Sequence, residues 1–240
     1  VISTLQLGQF GRQRFPVGTD PNFSSVSALL HMNGTNGSTT FTDQTGKTWS
    51  QYGSDFVLST AVVKFGTASL KCYLSTSTNH IETAHHADFN LPGDFTIEWW
   101  QYWTALNPPP YQAALQHGYN VAGGLTIVTG NMDGKYGVYI NTLTLVCTEA
   151  TAGTTGAWVH YALTRSGSTV TLWRGGVSSA SGSNAADLSV SKVFAIGGYG
   201  SDSGALGQAF NGYIDDFRVT KGVARYTATF TPPTSAFPDS

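Results

Sequence analysis

Glu98, Trp100 and Tyr102 alternate along FTIEWWQYW (95–103), so in an extended strand all three project from one face. A carboxylate beside aromatic rings with polar handles suits a sugar, whose C–H face stacks on the rings while its hydroxyls donate to the acid. The same three residues would serve equally well beneath a covering loop, such as 104–111 with its three prolines, or beneath a neighbouring subunit. Cleaving a glycosidic bond takes a second carboxylate close to the first, and no strand of this chain supplies one at that spacing. The chain has no G-x-S-x-G, H-E-x-x-H, P-loop or dinucleotide glycine motif. Tandem His85-His86 lies near Asp88 with no nucleophile beside it, so a triad would need a serine brought from elsewhere in the fold. The chemistry on offer is binding rather than reaction.

The elements that must hold these residues read as strands. Phe95, Ile97, Trp99 and Trp103 take the opposite face of 95–103 and are assigned to a core, which Val159, Tyr161, Leu163, Val170 and Leu172 continue. Strands are expected at 27–32, 56–59, 69–74, 80–84, 95–103, 124–129, 136–145, 158–165, 169–174, 193–196 and 213–220, most of them separated by glycine-bearing turns. The predicted fold class is all-β, with two antiparallel sheets packed face to face. Pro232 and Pro233 exclude the end of the chain from any central strand, so 226–237 is expected to wrap back over the sandwich.

In GYIDDFRVT (212–220), regular alternation places Tyr213, Asp215, Phe217 and Val219 on one face and Ile214, Asp216, Arg218 and Thr220 on the other. Asp216 and Arg218, about 7 Å apart along a face, can pair. Asp215 among apolar neighbours needs either hydrogen-bond donors or a cation. Residues alone do not choose between the two.

Four segments, 20–49, 65–100, 158–177 and 212–233, resemble in order the laminin-G-like, concanavalin A-type jelly rolls found in bacteriophage particle proteins. That resemblance implies a two-sheet jelly roll and a non-enzymatic virion protein, in head decoration or a tail-associated role. It also implies a calcium ion held by Asp43, Asp215 and the amide oxygen of Asn33, although Asn33 stands where such domains carry Asp. The fold also houses glucanases with an E-x-D-x-x-E or E-x-D-x-E strand. Here Trp100 and Tyr102 replace the partner acids of Glu98, and a carbohydrate-active hydrolase is the second reading. His31, His80, His117 and His160 sit singly in strands and read as structural histidines.

Residues 1–25 read as an arm preceding a domain over 26–240. Gly8, Gly11, Pro16, Gly18 and Pro21 interrupt regular structure, yet Leu5, Leu7, Phe10, Phe15 and Val17 are more apolar than a solvated linker requires. Burying five side chains does not offset the backbone entropy of ordering such a segment, so the arm needs main-chain bonds to a surface. With Arg12 and Arg14 it is expected to dock on another virion protein or a sister subunit in a homo-oligomer. A net charge of −2 with 11% charged residues gives no nucleic-acid footprint, and no apolar run reaches membrane-span length. The first twenty residues lack a continuous apolar region of the secretory kind, so synthesis in the host cytoplasm and display on the virion surface are expected. Cys72 and Cys147 read as free thiols.

Overall fold

A computed structural model describes residues 18–73, 79–106, 111–130, 133–204 and 208–240. Fifteen strands are present among them. β1 (Val26–Leu30), β2 (Ser50–Tyr52), β3 (Val57–Ser59), β4 (Ser69–Cys72) and β5 (His80–Thr83) form the first third. β6 (Phe95–Trp103), β7 (Ala113–His117), β8 (Leu125–Thr129), β9 (Tyr136–Ile140) and β10 (Thr144–Thr148) follow. β11 (Trp158–Ser166), β12 (Thr169–Arg174), β13 (Val177–Ser183), β14 (Phe194–Ile196) and β15 (Gly212–Lys221) complete the body. One sheet has eight strands in the order β13-β12-β11-β6-β15-β4-β3, with β1 also paired to β15. The other has seven, in the order β10-β9-β8-β7-β14-β5-β2, and every pairing in both sheets is antiparallel.

The core lies between the sheets, and the alternation of β6 builds its middle. Phe95, Ile97, Trp99 and Trp103 all enter it, with Tyr161, Leu163, Val170 and Leu172 beside them. Gln101 shares that face, and its Oε1 accepts from Trp99 Nε1 (2.7 Å) and Tyr136 OH (3.1 Å). Cys72 and Cys147 are free and buried, and burial pushes both thiols up, Cys147 to about 11. The stretch 136–145 is two strands rather than one, because Asn141 (φ 57°) and Leu143 (φ 55°) turn the backbone through the left-handed region. Val177–Ser183 (VSSASGS) escapes a search for apolar alternation because it is a largely exposed edge strand. The small, fully buried Ala113–His117 escapes it for the opposite reason.

β15 departs from regular alternation at a bulge. Asp215 pairs with Trp100 and Arg218 with Glu98, so Asp216 and Phe217 together oppose Trp99. Asp216 takes φ 47°, a left-handed conformation that Asp tolerates better than most residues. The extra residue reverses the faces beyond it, so Ile214, Phe217 and Val219 all reach the core. Phe217 and Val219 therefore do not share a face with Asp215. Asp216 and Arg218 do not pair either. Asp216 accepts from His31 Nδ1 (2.6 Å) and Phe237 N (2.7 Å), while Arg218 bonds Glu98 and Asp20.

Residues 18–25, the last part of the expected arm, lie against the body through Asp20. Asp20 is buried, its N–H donates to Ser240 O (2.7 Å), and its carboxylate accepts from both Arg218 and Arg225. Leu5, Leu7, Phe10, Arg12, Arg14, Phe15 and Val17 lie outside the described residues. The expected wrap of the chain end is present: Tyr226 and Phe230 pack against His160 on the outer face of the eight-stranded sheet, and Phe237 joins them.

Asp216→Ala should cost about 3 kcal/mol, since it strands His31 and Phe237 N and keeps a left-handed residue without its bonds. Asp216→Asn, which tolerates the backbone and can still accept, should cost less. Urea unfolding measures both, and superimposable curves for wild type and Asp216→Ala would contradict this account.

Candidate functional site

The two outer faces differ in what covers them. On the eight-stranded sheet, Glu98 is fully buried beneath the C-terminal segment. Its Oε1 accepts from Arg218 Nε (3.0 Å) and Nη2 (2.7 Å), and its Oε2 accepts from Tyr226 OH (2.7 Å) and faces His160 Nε2 at 3.2 Å. Arg218 Nη1 continues to Asp20 (2.9 Å), which also takes both terminal nitrogens of Arg225 (3.0 and 2.6 Å). Two guanidinium groups and two carboxylates thus balance within one cluster. Burial opposes ionisation of Glu98, but the charge of Arg218 and the bonds from His160 and Tyr226 outweigh it and hold the acid at about 2.

Trp100 is buried as well, its ring met edge-on by Phe65 and His160, with Lys64 Nζ 3.9 Å above it. Tyr102 stays half-exposed beside Trp158 and Tyr213. The three residues therefore do not form an open sugar platform. Their cover among the described residues is 226–237 together with the loop around 64–65.

Asp43, Asp215 and Asn33 spend their oxygens on donors of the chain itself. Asp43 accepts from Leu29 N, Thr45 N, Thr45 Oγ1 and Trp49 Nε1. Asp215 accepts from Lys64 N (2.9 Å), Phe65 N (3.1 Å) and Asp216 N (2.9 Å). Burial pushes Asp215 up to about 7 against the pull of these donors, with the neighbouring Asp216 adding to the rise. Asn33 Oδ1 accepts from Thr67 N (2.6 Å), so Asn33 and Asp215 both hold the 64–67 loop, while Asp43 serves β1 and Trp49. Among the described residues, no group of three or more His, Cys, Asp or Glu is placed to hold a metal ion. These bonds supply the donors that a buried Asp215 requires.

The four histidines expected in strands all have partners within the body. His31, His80 and His160 each bond a carboxylate, and His117 packs on Phe89 and Phe194. His86 Nδ1 accepts from Asp88 N, while the Asp88 carboxylate meets Lys47 Nζ at 2.8 Å, an arrangement that caps a turn.

The seven-stranded sheet carries the open cleft, of about 340 Å³, lined by Tyr111, Tyr119, Tyr139 and Tyr199 with Val128 and Leu143. Each element delivers its ring for a local reason. In β9, Val138 and Ile140 face the core, so Tyr139 faces out, and its ring lies over Gly137. A Cβ on Gly137 would stand 2.7 Å from that ring. Tyr199 is presented by the turn after β14, which is pinned at both sides. Gly200 N donates to Gln116 Oε1, and Ser201 donates through N (2.8 Å) and Oγ (2.6 Å) to Glu82. Glu82 is in turn fixed by His80 (2.9 Å). Tyr119, from the β7–β8 loop, packs on Tyr199 at 4.7 Å between ring centroids, and burial pushes the Tyr199 hydroxyl up. No charged side chain lines the cleft among the described residues. The four tyrosines are scattered over almost ninety positions in two loops, a strand and a turn, so spacing gives no sign of them. The abundance of tyrosine, 11 in the chain, is the one trace they leave in the sequence.

Stability should fall at both ends of the pH scale. The folded pKa of Glu98 lies below its unfolded value of 4.5, so its contribution is complete above 4.5 and lost as pH falls toward about 2. The bond to Asp216 raises His31 above 6.5, so its contribution is complete below 6.5 and lost as pH rises through the folded value. Thermal melts across pH should show Glu98→Gln flattening the acid limb and His31→Gln the alkaline one. Parallel profiles in the variants and wild type would refute the assignment.

Residues 75–225 match the family described as the concanavalin A-like lectin/glucanases superfamily. Domain 4 of AbnA, a GH43 extracellular arabinanase from Geobacillus stearothermophilus solved with arabinotriose, is similar in structure, with a TM-score of 0.64 and 17% identity. That likeness covers 83% of this chain and 94% of that domain. Trypanosoma rangeli sialidase aligns at a TM-score of 0.58 and 12% identity, over 82% of this chain and 31% of the sialidase. The binding domain of botulinum neurotoxin serotype D aligns at 0.58 and 15%, over 84% and 49% of the respective chains. At such identities the likeness speaks for the fold. No curated protein matches the chain in sequence.

Proposed function

The chain belongs to the concanavalin A-like lectin/glucanases superfamily, and within it we propose a non-enzymatic, lectin-like binding protein of the bacteriophage particle surface. The observation that carries the reading is the tyrosine cleft: preorganised aromatic rings with hydroxyl handles and, among the described residues, no charged lining, on the outer side of the seven-stranded sheet. Such a surface offers stacking to a sugar ring and hydrogen bonds to its hydroxyls. Glu98, the acid that a hydrolase would need beside its substrate, is instead neutralised beneath the C-terminal segment. The cleft residues named above include no carboxylate pair to flank a glycosidic bond. A domain solved with arabinotriose shares the fold, which supports sugar as the ligand class. The resemblance of 20–49 and 212–233 to phage-type domains supports the particle, with display on the virion surface, cell-surface glycan as the target and symmetric copies in the assembly. Residues 1–17 supply attachment to another virion protein.

Tyr119→Ala and Tyr139→Ala should each weaken binding to a neutral oligosaccharide by about tenfold, measured by calorimetry against a glycan panel. The wild-type protein should release no sugar product from the same panel. Binding that is unchanged in both variants would remove the cleft from this role, and product release would favour a hydrolase. Deleting residues 1–17 should leave the melting transition in place and abolish incorporation into particles. Normal incorporation of the shortened chain would refute the attachment role.

A further inference from the structure

The opposite face of the sandwich holds a second groove, of about 390 Å³, between β11–β13 and the C-terminal segment. Its lining carries no charge. Thr164 and Thr171, 2% and 7% exposed, form the floor, and the exposed Ser166 and Thr169 form part of the rim. Trp173 and Tyr226 give the groove its aromatic surface. The strands set this pattern directly. Leu163, Val170 and Leu172 point into the core, so Thr164, Thr169 and Thr171 must point out, and Thr164 faces Thr171 across the β11–β12 pair. Tyr226 is fixed by its bond to Glu98 and by stacking on Phe230, with centroids 3.6 Å apart.

The hydroxyl protons of the floor can be assigned. Thr164 Oγ1 accepts from Trp173 Nε1 (2.8 Å), which leaves its own proton to donate into the groove. Ser181 Oγ donates to Val170 O (3.2 Å), so the 3.3 Å bond between Thr171 and Ser181 is donated by Thr171. The lone pairs of Thr171 are then left to accept. Cross-strand neighbours such as these have Cβ atoms about 5 Å apart. The floor therefore presents one donor and one acceptor side by side, the complement of an alcohol group, which accepts and donates through a single oxygen. A carboxylate or phosphate finds no cation here, and an ammonium group finds no anion. An array of hydroxyl groups on an apolar ring face fits both the floor and the aromatic surface.

We propose that this groove is a second saccharide site, specific for neutral sugars, so that one protomer holds carbohydrate on both faces of the sandwich. It rests on residues of β11, β12 and the C-terminal segment, and shares none with the tyrosine cleft.

The full chain, labelled at threonine methyls and tyrosine rings for NMR, is titrated with arabinotriose, with cellotriose and with trigalacturonic acid as the anionic counterpart. The Thr164 and Thr171 methyls should shift with a neutral trisaccharide and stay in place with the acidic one. Thr171→Val, which keeps shape and removes the acceptor, should weaken binding at the groove by about tenfold and leave the shifts of the Tyr119, Tyr139 and Tyr199 rings unaltered. Thr164→Val should do the same, and unchanged melting of either variant shows that the fold is intact. Threonine methyls that ignore both neutral sugars, or Val variants that bind as wild type does, overturn the second site. Rings of Tyr119, Tyr139 and Tyr199 that respond while the methyls do not would leave the cleft reading standing. Methyls that respond while the rings do not would leave the second site standing without the cleft.

Discussion

Asp215 and Asp216 occupy the point at which one edge of β15 changes partner. Residues Gly212–Ile214 lie against β4 and Phe217–Thr220 against β1, so between them the ladder has to break. The bulge fills that break, and each carboxylate takes up the donors that the handover leaves loose. Asp215 gathers the backbone leading into β4, and Asp216 gathers His31 beyond β1 and the backbone of Phe237. Buried acids without such donors would be costly. With them, three separate segments are tied to the central strand of the sheet, and the core residues on both sides of the bulge fall into register.

The cover over the eight-stranded sheet depends on this junction and on the charge cluster beside it. Glu98, Arg218, Asp20 and Arg225 are worth little as isolated attractions, because desolvation offsets most of the Coulomb gain. Their effect is positional. Removing any one leaves an uncompensated charge under the C-terminal segment, so that segment has one seating in which every group is paired.

Much of this was legible in the residues. The period-two pattern of FTIEWWQYW and WVHYALTR gave the central strands and the core face, since burial on one side leaves a plain alternating trace. The wrap of 226–237 followed from its prolines. What alternation could not give was the bulge, because a single inserted residue changes faces without changing composition. That inversion explains why Phe217 was grouped with Asp215, and why Arg218 was paired with Asp216 instead of Glu98. Glu98, Trp100 and Tyr102 do share one face, but whether a face is open depends on segments distant in the sequence. The tyrosine cleft was hidden for the same reason: its rings come together only when four parts of the chain meet.

The hydrogen bond from Asp20 N to Ser240 O places the way into the body and the way out of it side by side at one pole. A sandwich threaded in this manner carries Asp20 and Ser240 at one place. It can be grafted into a surface loop of a larger polypeptide, or strung in tandem, without prising apart either sheet. Its two broad flanks would then stand clear of whatever carries it.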